Sequence, residues 1–188
     1  AGGSLKIYGE MMRSLDSGVG RAMDALRSNG LENNTLVIFT SDNGGERFSY
    51  NWPFKGQKME LYEGGIRVPA IVRWPGVTAA GSVTDQPAIT MDWTATMIAA
   101  AGSKPDEKYP LDGEDLTAVL AGKRPLFDRE FFWRTRRQGA VRSGNWKYIR
   151  EGKRESLHNL AVDERERADY AAKEPGRLAD LRTKFENW

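Results

Sequence analysis

Apolar residues at helical spacing open the chain. They recur every three or four positions, at Leu5, Tyr8, Met12, Leu15, Val19, Met23 and Leu26. This spacing is typical of an amphipathic helix that presents one apolar face. Gly30 follows where a left-handed C-terminal cap is needed, so the pattern predicts that the helix ends near Asn29.

The next apolar run predicts a buried strand. Residues 35–40 are continuously apolar and rich in β-formers, as expected of a strand that is covered on both faces. A second strand is predicted from Ile66 to Trp74, where Pro75-Gly76 stops it. A helix followed by such a strand indicates an α/β fold with a helix-covered, mostly parallel sheet. Two further helices are expected, one from an N-cap at Thr90 to about Ala101 and a shorter one over 114–120.

The pattern changes after Pro125. Short β-like runs at 129–135, 139–142 and 146–150 predict a small antiparallel sheet, with Ser143-Gly144-Asn145 as a hairpin turn. A final helix is expected after Pro175, with an apolar face formed by Leu178, Leu181, Phe185 and Trp188. The predicted division is therefore residues 1–125 in the α/β domain and residues 126–188 in the small sheet with its helix.

Composition narrows the class of protein. The chain has 188 residues, of which 39% are hydrophobic and 29% charged, as in ordinary globular proteins. A net charge of +2 gives no reason to expect a nucleic acid or an anionic membrane as partner. No apolar run has the length that a transmembrane helix needs. With no cysteine, the chain contains neither disulfides nor thiolate metal sites.

The segment Ser41-Asp42-Asn43-Gly44-Gly45 directly follows the first predicted strand. Ligands of α/β proteins gather beyond the carboxyl ends of strands, so this loop is well placed for a site. Asp42 and Asn43 offer a carboxylate and an amide oxygen, which suit Ca²⁺ or Mg²⁺. Asp, Asn and Gly are also common turn residues, so the alternative interpretation of this segment is a turn without a metal.

A second polar segment contains Lys55, Gly56 and Lys58, and is followed by Glu63-Gly64-Gly65. A lysine ammonium in a glycine-bordered loop can hold an oxygen of sulfate or phosphate. Most surface lysines are simply solvated, which is the alternative here. Glu63 is interpreted as structural, since a carboxylate beside two glycines commonly bonds backbone amides and fixes a turn.

Taken together, these motifs resemble the sulfatase family of the alkaline phosphatase superfamily. The resemblance covers nearly the whole chain and rests on the order of its motifs: Ser14-Leu15-Asp16, the run from Asn34 to Gly44, Lys58 with the run from Tyr62 to Pro69, Leu111-Asp112-Gly113, Ala140-Val141-Arg142, Trp146-Lys147-Tyr148 and Leu157-His158-Asn159-Leu160. It implies that Asp42 and Asn43 are ligands of a divalent cation, usually Ca²⁺ or else Mg²⁺. It also implies that Lys58 is catalytic and contacts the sulfate of the substrate. Lys55 occupies a position where the family often has Arg.

Other parts of the family pattern are missing. Sulfatases use a formylglycine made within a Cys/Ser-x-Pro-x-Arg motif, which these residues do not contain. His158 is the only histidine, at a position where the family usually has Tyr, so a structural role is favoured for it. We therefore expect the C-terminal fragment of an arylsulfatase-like enzyme, carrying a sulfate-ester site without its nucleophile and inactive alone.

Several alternatives stay open at this stage. A phosphonate monoester hydrolase or phosphodiesterase of the same superfamily would share these motifs, because sulfate and phosphate esters share their shape. A non-enzymatic binding or assembly module is the alternative from another class. We further expect a homodimer through exposed apolar surface. The family resemblance favours a periplasmic or secreted location.

Overall fold

The computed structural model describes residues 3–188 and divides them into two compact units. The first unit combines the residues up to Thr40 with Ala70–Leu126, and the second combines Ser41–Pro69 with Phe127–Trp188. The segment that contains both candidate loops therefore belongs with the C-terminal sheet in three dimensions. In chain order the elements are α1 (Leu5–Ser28), β1 (Val37–Thr40), α2 (Glu63–Ile66), β2 (Ala70–Arg73), α3 (Thr90–Ala100), α4 (Thr117–Leu120), β3 (Glu130–Arg134), β4 (Gln138–Ser143), β5 (Trp146–Glu151), β6 (Arg154–Asn159) and α5 (Pro175–Asn187).

Helix α1 agrees with the periodicity of its sequence. The side chain of Ser4 caps its first turn by accepting a hydrogen bond from the amide of Ile7 at 3.2 Å. Gly30 has a φ of +68°, a left-handed conformation that suits glycine at a helix end. None of the helix residues is buried within the chain, so its apolar stripe stays on the surface.

Strands β1 and β2 form a two-stranded antiparallel sheet in which Ile38 pairs with Val72. This pair differs from the parallel arrangement that the sequence indicated. The alternation of a helix and a strand says nothing about which neighbour β1 takes, and mixed sheets often include an antiparallel strand. β2 is also shorter than predicted, because residues 63–66 form the helical turn α2 and Pro69 precedes the strand.

Helices α3 and α4 are joined by side chains of α3 that accept backbone hydrogen bonds. The buried carboxylate of Asp92 accepts from the amide of Ile89 at 2.7 Å and from that of Glu114 at 2.8 Å. Thr96 accepts from the amide of Leu116 at 3.0 Å. The predicted N-cap at Thr90 is wrong: Thr90 is the first helical residue, and Asp92 bonds the preceding backbone instead.

The second unit is built on a four-stranded antiparallel sheet of order β3-β4-β5-β6. The hairpin predicted at Ser143-Gly144-Asn145 is confirmed, with Gly144 at a φ of +55°. Strand β6 was not predicted as a strand. Its signal is the short Gly152-Lys153 turn, which pairs Glu151 with Arg154.

Helix α5, the final helix predicted after Pro175, covers one face of this sheet. Its buried members Leu181 and Phe185 pack with the sheet residues Val141, Tyr148 and Leu157. Gly139 lies under the ring of Phe185, where a Cβ atom would overlap the ring carbons. Within residues 3–188, no helix has the length and apolar character needed to cross a membrane.

Candidate functional site

Asp42 and Asn43 lie directly after β1, as predicted. The Asp42 side chain is exposed and that of Asn43 is half-buried. The hydroxyl of Ser41 donates a hydrogen bond to the carbonyl oxygen of Asn43 at 2.8 Å, which turns the backbone at this point. The loop therefore presents its carboxylate to the surface rather than burying it in an internal ion pair.

Close backbone approach explains the glycines that follow. The amide of Gly44 donates to the carbonyl oxygen of Gly65 at 2.8 Å. A Cβ atom on Gly44 would overlap the carbonyl group of Gly64, and a Cβ on Gly65 would overlap that of Glu60. Gly44 must lack a side chain for the two segments to meet, and Gly65 must lack one for its own turn to lie against Glu60.

Asn51 ties the loops together through its side-chain amide. Its oxygen accepts from the amide of Gly45 at 3.0 Å, and its nitrogen donates to the carbonyl of Gly45 at 2.9 Å and to that of Gly56 at 3.2 Å. One side chain thus pins the end of the Asp42 loop to the start of the lysine loop. Sequence reasoning missed this residue, because an asparagine before Trp52-Pro53 looks like an ordinary turn residue.

The two lysines of the second loop have different surroundings. The Lys55 ammonium lies 3.8 Å from the centre of the Tyr62 ring, a cation–π contact that occupies it. The Lys58 side chain is exposed, while its backbone amide donates to the carbonyl of Gly45 at 3.0 Å. The loop therefore fixes the backbone of Lys58 against the Asp42 loop and leaves its ammonium available to an anion.

Glu63 belongs to a buried charge cluster that is centred on Lys147. Its carboxylate oxygen Oε1 is 2.8 Å from the Lys147 ammonium, which also lies 2.9 Å from Oε1 of Glu166. All three side chains are at most 2% exposed. The structural role expected for Glu63 agrees with this burial, but its partner is a lysine rather than backbone amides. Burial is the main cause that raises the pKa of Glu166, against the nearby positive charge of Lys147.

Sequence reasoning missed Lys147 and Glu166. Lysine is rarely fully buried, so its default assignment is solvent-facing. Neighbouring residues of a strand face opposite sides, so Lys147 lies on the other face of its predicted strand from Trp146 and Tyr148. That position was the available signal. Glu166 lies in a loop with five charged residues within three positions of it, and nothing in that composition distinguishes it.

His158 is buried and engaged at both ring nitrogens. Nδ1 lies 2.8 Å from the carbonyl oxygen of Ala168 and Nε2 lies 3.0 Å from the hydroxyl of Ser156. Burial is the main cause that lowers the pKa of His158. A neutral ring with a hydrogen-bond partner at each nitrogen supports the structural role that the sequence favoured.

The side-chain oxygens of Asp42 and Asn43 fit a hard divalent cation in part. Asp42 and Asn43 supply a carboxylate and an amide oxygen on adjacent residues. Over the part of the chain that the structure describes, no group of three or more His, Cys, Asp or Glu side chains could hold a metal ion. These two residues would therefore contribute part of a coordination shell and not a whole one.

Comparison with known proteins places these loops in a family. The sequence model of the family described as Sulfatase matches residues 3–103, which include both candidate loops. The chain belongs to the sulfatase family. The expected family membership is thereby confirmed. N-acetylgalactosamine-6-sulfatase of Mus musculus is 39% identical over 147 residues, and human steryl-sulfatase is 39% identical over 137 residues.

Solved structures confirm the predicted α/β fold of the alkaline phosphatase type. The crystal structure of Ps i-CgsB matches with a TM-score of 0.90 at 30% identity, over 100% of this chain and 43% of that one. Its complex with k-i-k-neocarrahexaose matches with a TM-score of 0.89 at 32% identity, over 96% of this chain and 42% of that one. The matched part makes up 74% of this chain and 28% of the mouse sulfatase, and 68% of this chain and 24% of the human one.

Proposed function

We propose that this chain is the C-terminal part of a sulfuric ester hydrolase, which converts RO–SO₃⁻ and water into ROH and sulfate. The single observation that carries the proposal is the meeting of the two candidate loops within one compact unit. The amide of Gly44 donates to the carbonyl of Gly65, and the amide of Lys58 donates to the carbonyl of Gly45. The Asp42 loop and the Lys58 loop therefore share one network of backbone hydrogen bonds. That network supports the proposal because it brings the proposed metal ligands Asp42 and Asn43 close in the backbone to the proposed sulfate contact Lys58, as a hydrolase of anionic esters would need.

The roles of the residues follow from their chemistry. Asp42 and Asn43 would hold Ca²⁺, or Mg²⁺, through their side-chain oxygens. A bound cation would supply positive charge beside the ester oxygens. The exposed ammonium of Lys58 would contact the sulfate and offset the negative charge that develops on the leaving oxygen. Lys55 is the weaker candidate for this contact, since its ammonium already rests on Tyr62.

The attacking group is not among these residues. They contain neither a cysteine nor a Ser-x-Pro-x-Arg pattern, from which a formylglycine could be made. We propose that the nucleophile comes from another part of a longer sulfatase, and that the 188 residues alone do not turn over a sulfate ester. A periplasmic or secreted location is part of the same proposal, on family resemblance alone.

The substrate is proposed as a sulfate ester without further restriction. One matched structure holds a neocarrahexaose, one relative is named for N-acetylgalactosamine and another for a steryl sulfate. The exposed position of Lys58 suits any of these, because an ammonium recognises the sulfate group rather than the alcohol to which it is attached.

The test uses the longest natural polypeptide that contains these residues. We expect it to hydrolyse 4-nitrophenyl sulfate, and Asp42→Ala and Lys58→Ala each to lower kcat/KM by about a hundredfold or more. Lys153→Ala, in the exposed turn between β5 and β6, is the matched control and should leave the rate unchanged. Faster hydrolysis of a phosphonate monoester or phosphodiester would move the assignment to those enzymes. Absence of any hydrolysis by that polypeptide would favour a binding module.

A further inference from the structure

A fully buried ammonium holds the turn that carries Glu63. Lys147 is 0% exposed, lies in the interior strand β5, and has its Nζ atom 2.8 Å from Glu63 Oε1 and 2.9 Å from Glu166 Oε1. Removing three charges from water is costly unless each finds a partner, and removing one partner leaves another charge uncompensated. This cluster, the Lys147 clamp, consists of Lys147, Glu63 and Glu166.

The side chain of Glu166 makes a second contact with the same turn, a hydrogen bond from the backbone of Glu63. Its other carboxylate oxygen, Oε2, accepts the amide of Glu63 at 2.6 Å. Glu166 itself has a φ of +53°, in the left-handed region that non-glycine residues rarely occupy. An unfavourable backbone conformation persists where the surrounding contacts hold it. Here those contacts include the bond from the Glu166 amide to the carbonyl of Asp163 at 3.1 Å, besides the side-chain contacts to Glu63 and Lys147.

The turn held by the clamp supports both candidate loops. The amide of Gly64 donates to the carbonyl of Lys55 at 2.7 Å, at the start of the lysine loop. The carbonyl of Gly65 accepts the amide of Gly44 at 2.8 Å, next to the two proposed metal ligands. The two residues that follow Glu63 therefore anchor the backbone of each loop, and a shift of the turn would move both.

We propose that Lys147 and Glu166 are positioning residues of the sulfate-ester site, which act through Glu63 on the Asp42 loop and the Lys58 loop. This inference rests on the proposed function in that it treats the two loops as a sulfate-ester site. The link from the Lys147 clamp to the backbone of the two loops concerns the chain itself. Neither residue needs to touch substrate or metal. Their effect is to fix where the backbone of Gly44 and Gly64 lies.

The link is tested by amide hydrogen exchange on the 188-residue chain, with Lys147→Met as the main variant. We expect the protection of the Gly44 and Gly64 amides to fall at least about tenfold more than that of Val141 in β4. A role confined to global stability would lower all three equally, and that outcome would overturn the proposal. Lys184→Met is the matched control, because it removes a lysine from a surface ion pair of 2.6 Å with Glu130 in the same unit.

A second variant keeps the test decisive if Lys147→Met does not fold. Glu166→Gln removes the negative charge but keeps an oxygen that can accept the amide of Glu63. We expect an intermediate loss of protection at Gly44 and Gly64. Unchanged protection at both amides in Glu166→Gln would contradict the role of the clamp.

Kinetics on the longest natural polypeptide separate this proposal from the proposed function. We expect Lys147→Met to lower kcat and kcat/KM on 4-nitrophenyl sulfate together, by about tenfold or more, and Lys184→Met to leave both unchanged. A local loss of protection without any sulfatase activity in the unmodified polypeptide would refute the function and leave the mechanical link standing. Full activity in folded Lys147→Met would refute the positioning role and leave the function standing.

Discussion

The amide of Gly44 donates a hydrogen bond to the carbonyl oxygen of Gly65 at 2.8 Å, so the loop that follows β1 is joined through its backbone to the segment that follows Lys58. The contact is possible because Gly44 has no Cβ atom. A Cβ on Gly44 would overlap the carbonyl of Gly64, and backbone atoms cannot move aside as a flexible side chain can.

Gly44→Ala should therefore separate the two loops. We expect a loss of about 2 kcal/mol in the free energy of unfolding, within the range for inserting a methyl group into a packed site. Urea denaturation monitored by circular dichroism measures it. Gly20→Ala is the control: it lies in α1 with open space around it, and alanine there should add up to about 1 kcal/mol of helix stability. Equal stability of Gly44→Ala and the unmodified chain would contradict the close approach.

The local elements of this fold could be predicted from the sequence, whereas the partners of its charged residues could not. Periodicity is a local signal, so α1 and α5 were found with their apolar faces, and a Gly-Asn turn identified the β4–β5 hairpin. Pairing is not local. The antiparallel partners of β1 are 30 to 36 residues away along the chain, and no pattern within β1 specifies them.

The candidate site shows the same division. Asp42, Asn43 and Lys58 were found because their types and positions match a family pattern, and their roles stay predictions. Lys147 and Glu166 were missed because their partner Glu63 is 84 and 103 residues away, respectively. A buried lysine is recognisable only when the carboxylates that compensate its charge are seen beside it.

Metal binding by the isolated chain should be weak. Asp42 and Asn43 provide one charged and one neutral ligand, and water would fill the other positions. Sites with so little charge have dissociation constants on the order of millimolar for Ca²⁺. A Ca²⁺ titration followed through the amide resonance of Gly44 measures this. Asp42→Asn should weaken the affinity further, while Asp112→Asn, also exposed, should not. Micromolar affinity, or an unchanged affinity in Asp42→Asn, would contradict the assignment of these ligands.

Stability should decrease in mild acid because of His158. Burial holds its folded-state pKa below the ordinary value of 6.5, so the unfolded chain takes up the proton first as the pH falls. The contribution of His158 is thus complete above the unfolded pKa and is lost as the pH falls through the folded pKa. Glu166 acts in the opposite sense, since its pKa is raised and its contribution is lost as the pH increases.

The comparison of the unmodified chain with His158→Gln isolates the histidine, because Glu166 is the same in both. We expect the difference in unfolding free energy between the two proteins to shrink between about pH 7 and pH 5. Urea denaturation at several pH values measures it. A difference that stays constant over this range would show that His158 titrates alike in the folded and unfolded chains.

Self-association is the last prediction, and it follows from the surface of the first unit. On α1, Met12, Leu15 and Val19 are 45%, 51% and 37% exposed, and they line a groove together with Phe39 and Ile71 of the β1–β2 sheet. A contiguous apolar surface of this kind favours association in water.

We propose that two copies of the chain associate through this groove. Leu15→Glu places a charge in the middle of the groove and should shift the chain toward the monomer in sedimentation or light-scattering measurements. Leu126→Glu is the control, because Leu126 is as exposed, at 54%, but lies outside the groove. If the unmodified chain is strictly monomeric at high concentration, or if both variants dissociate the dimer equally, the groove is not the interface.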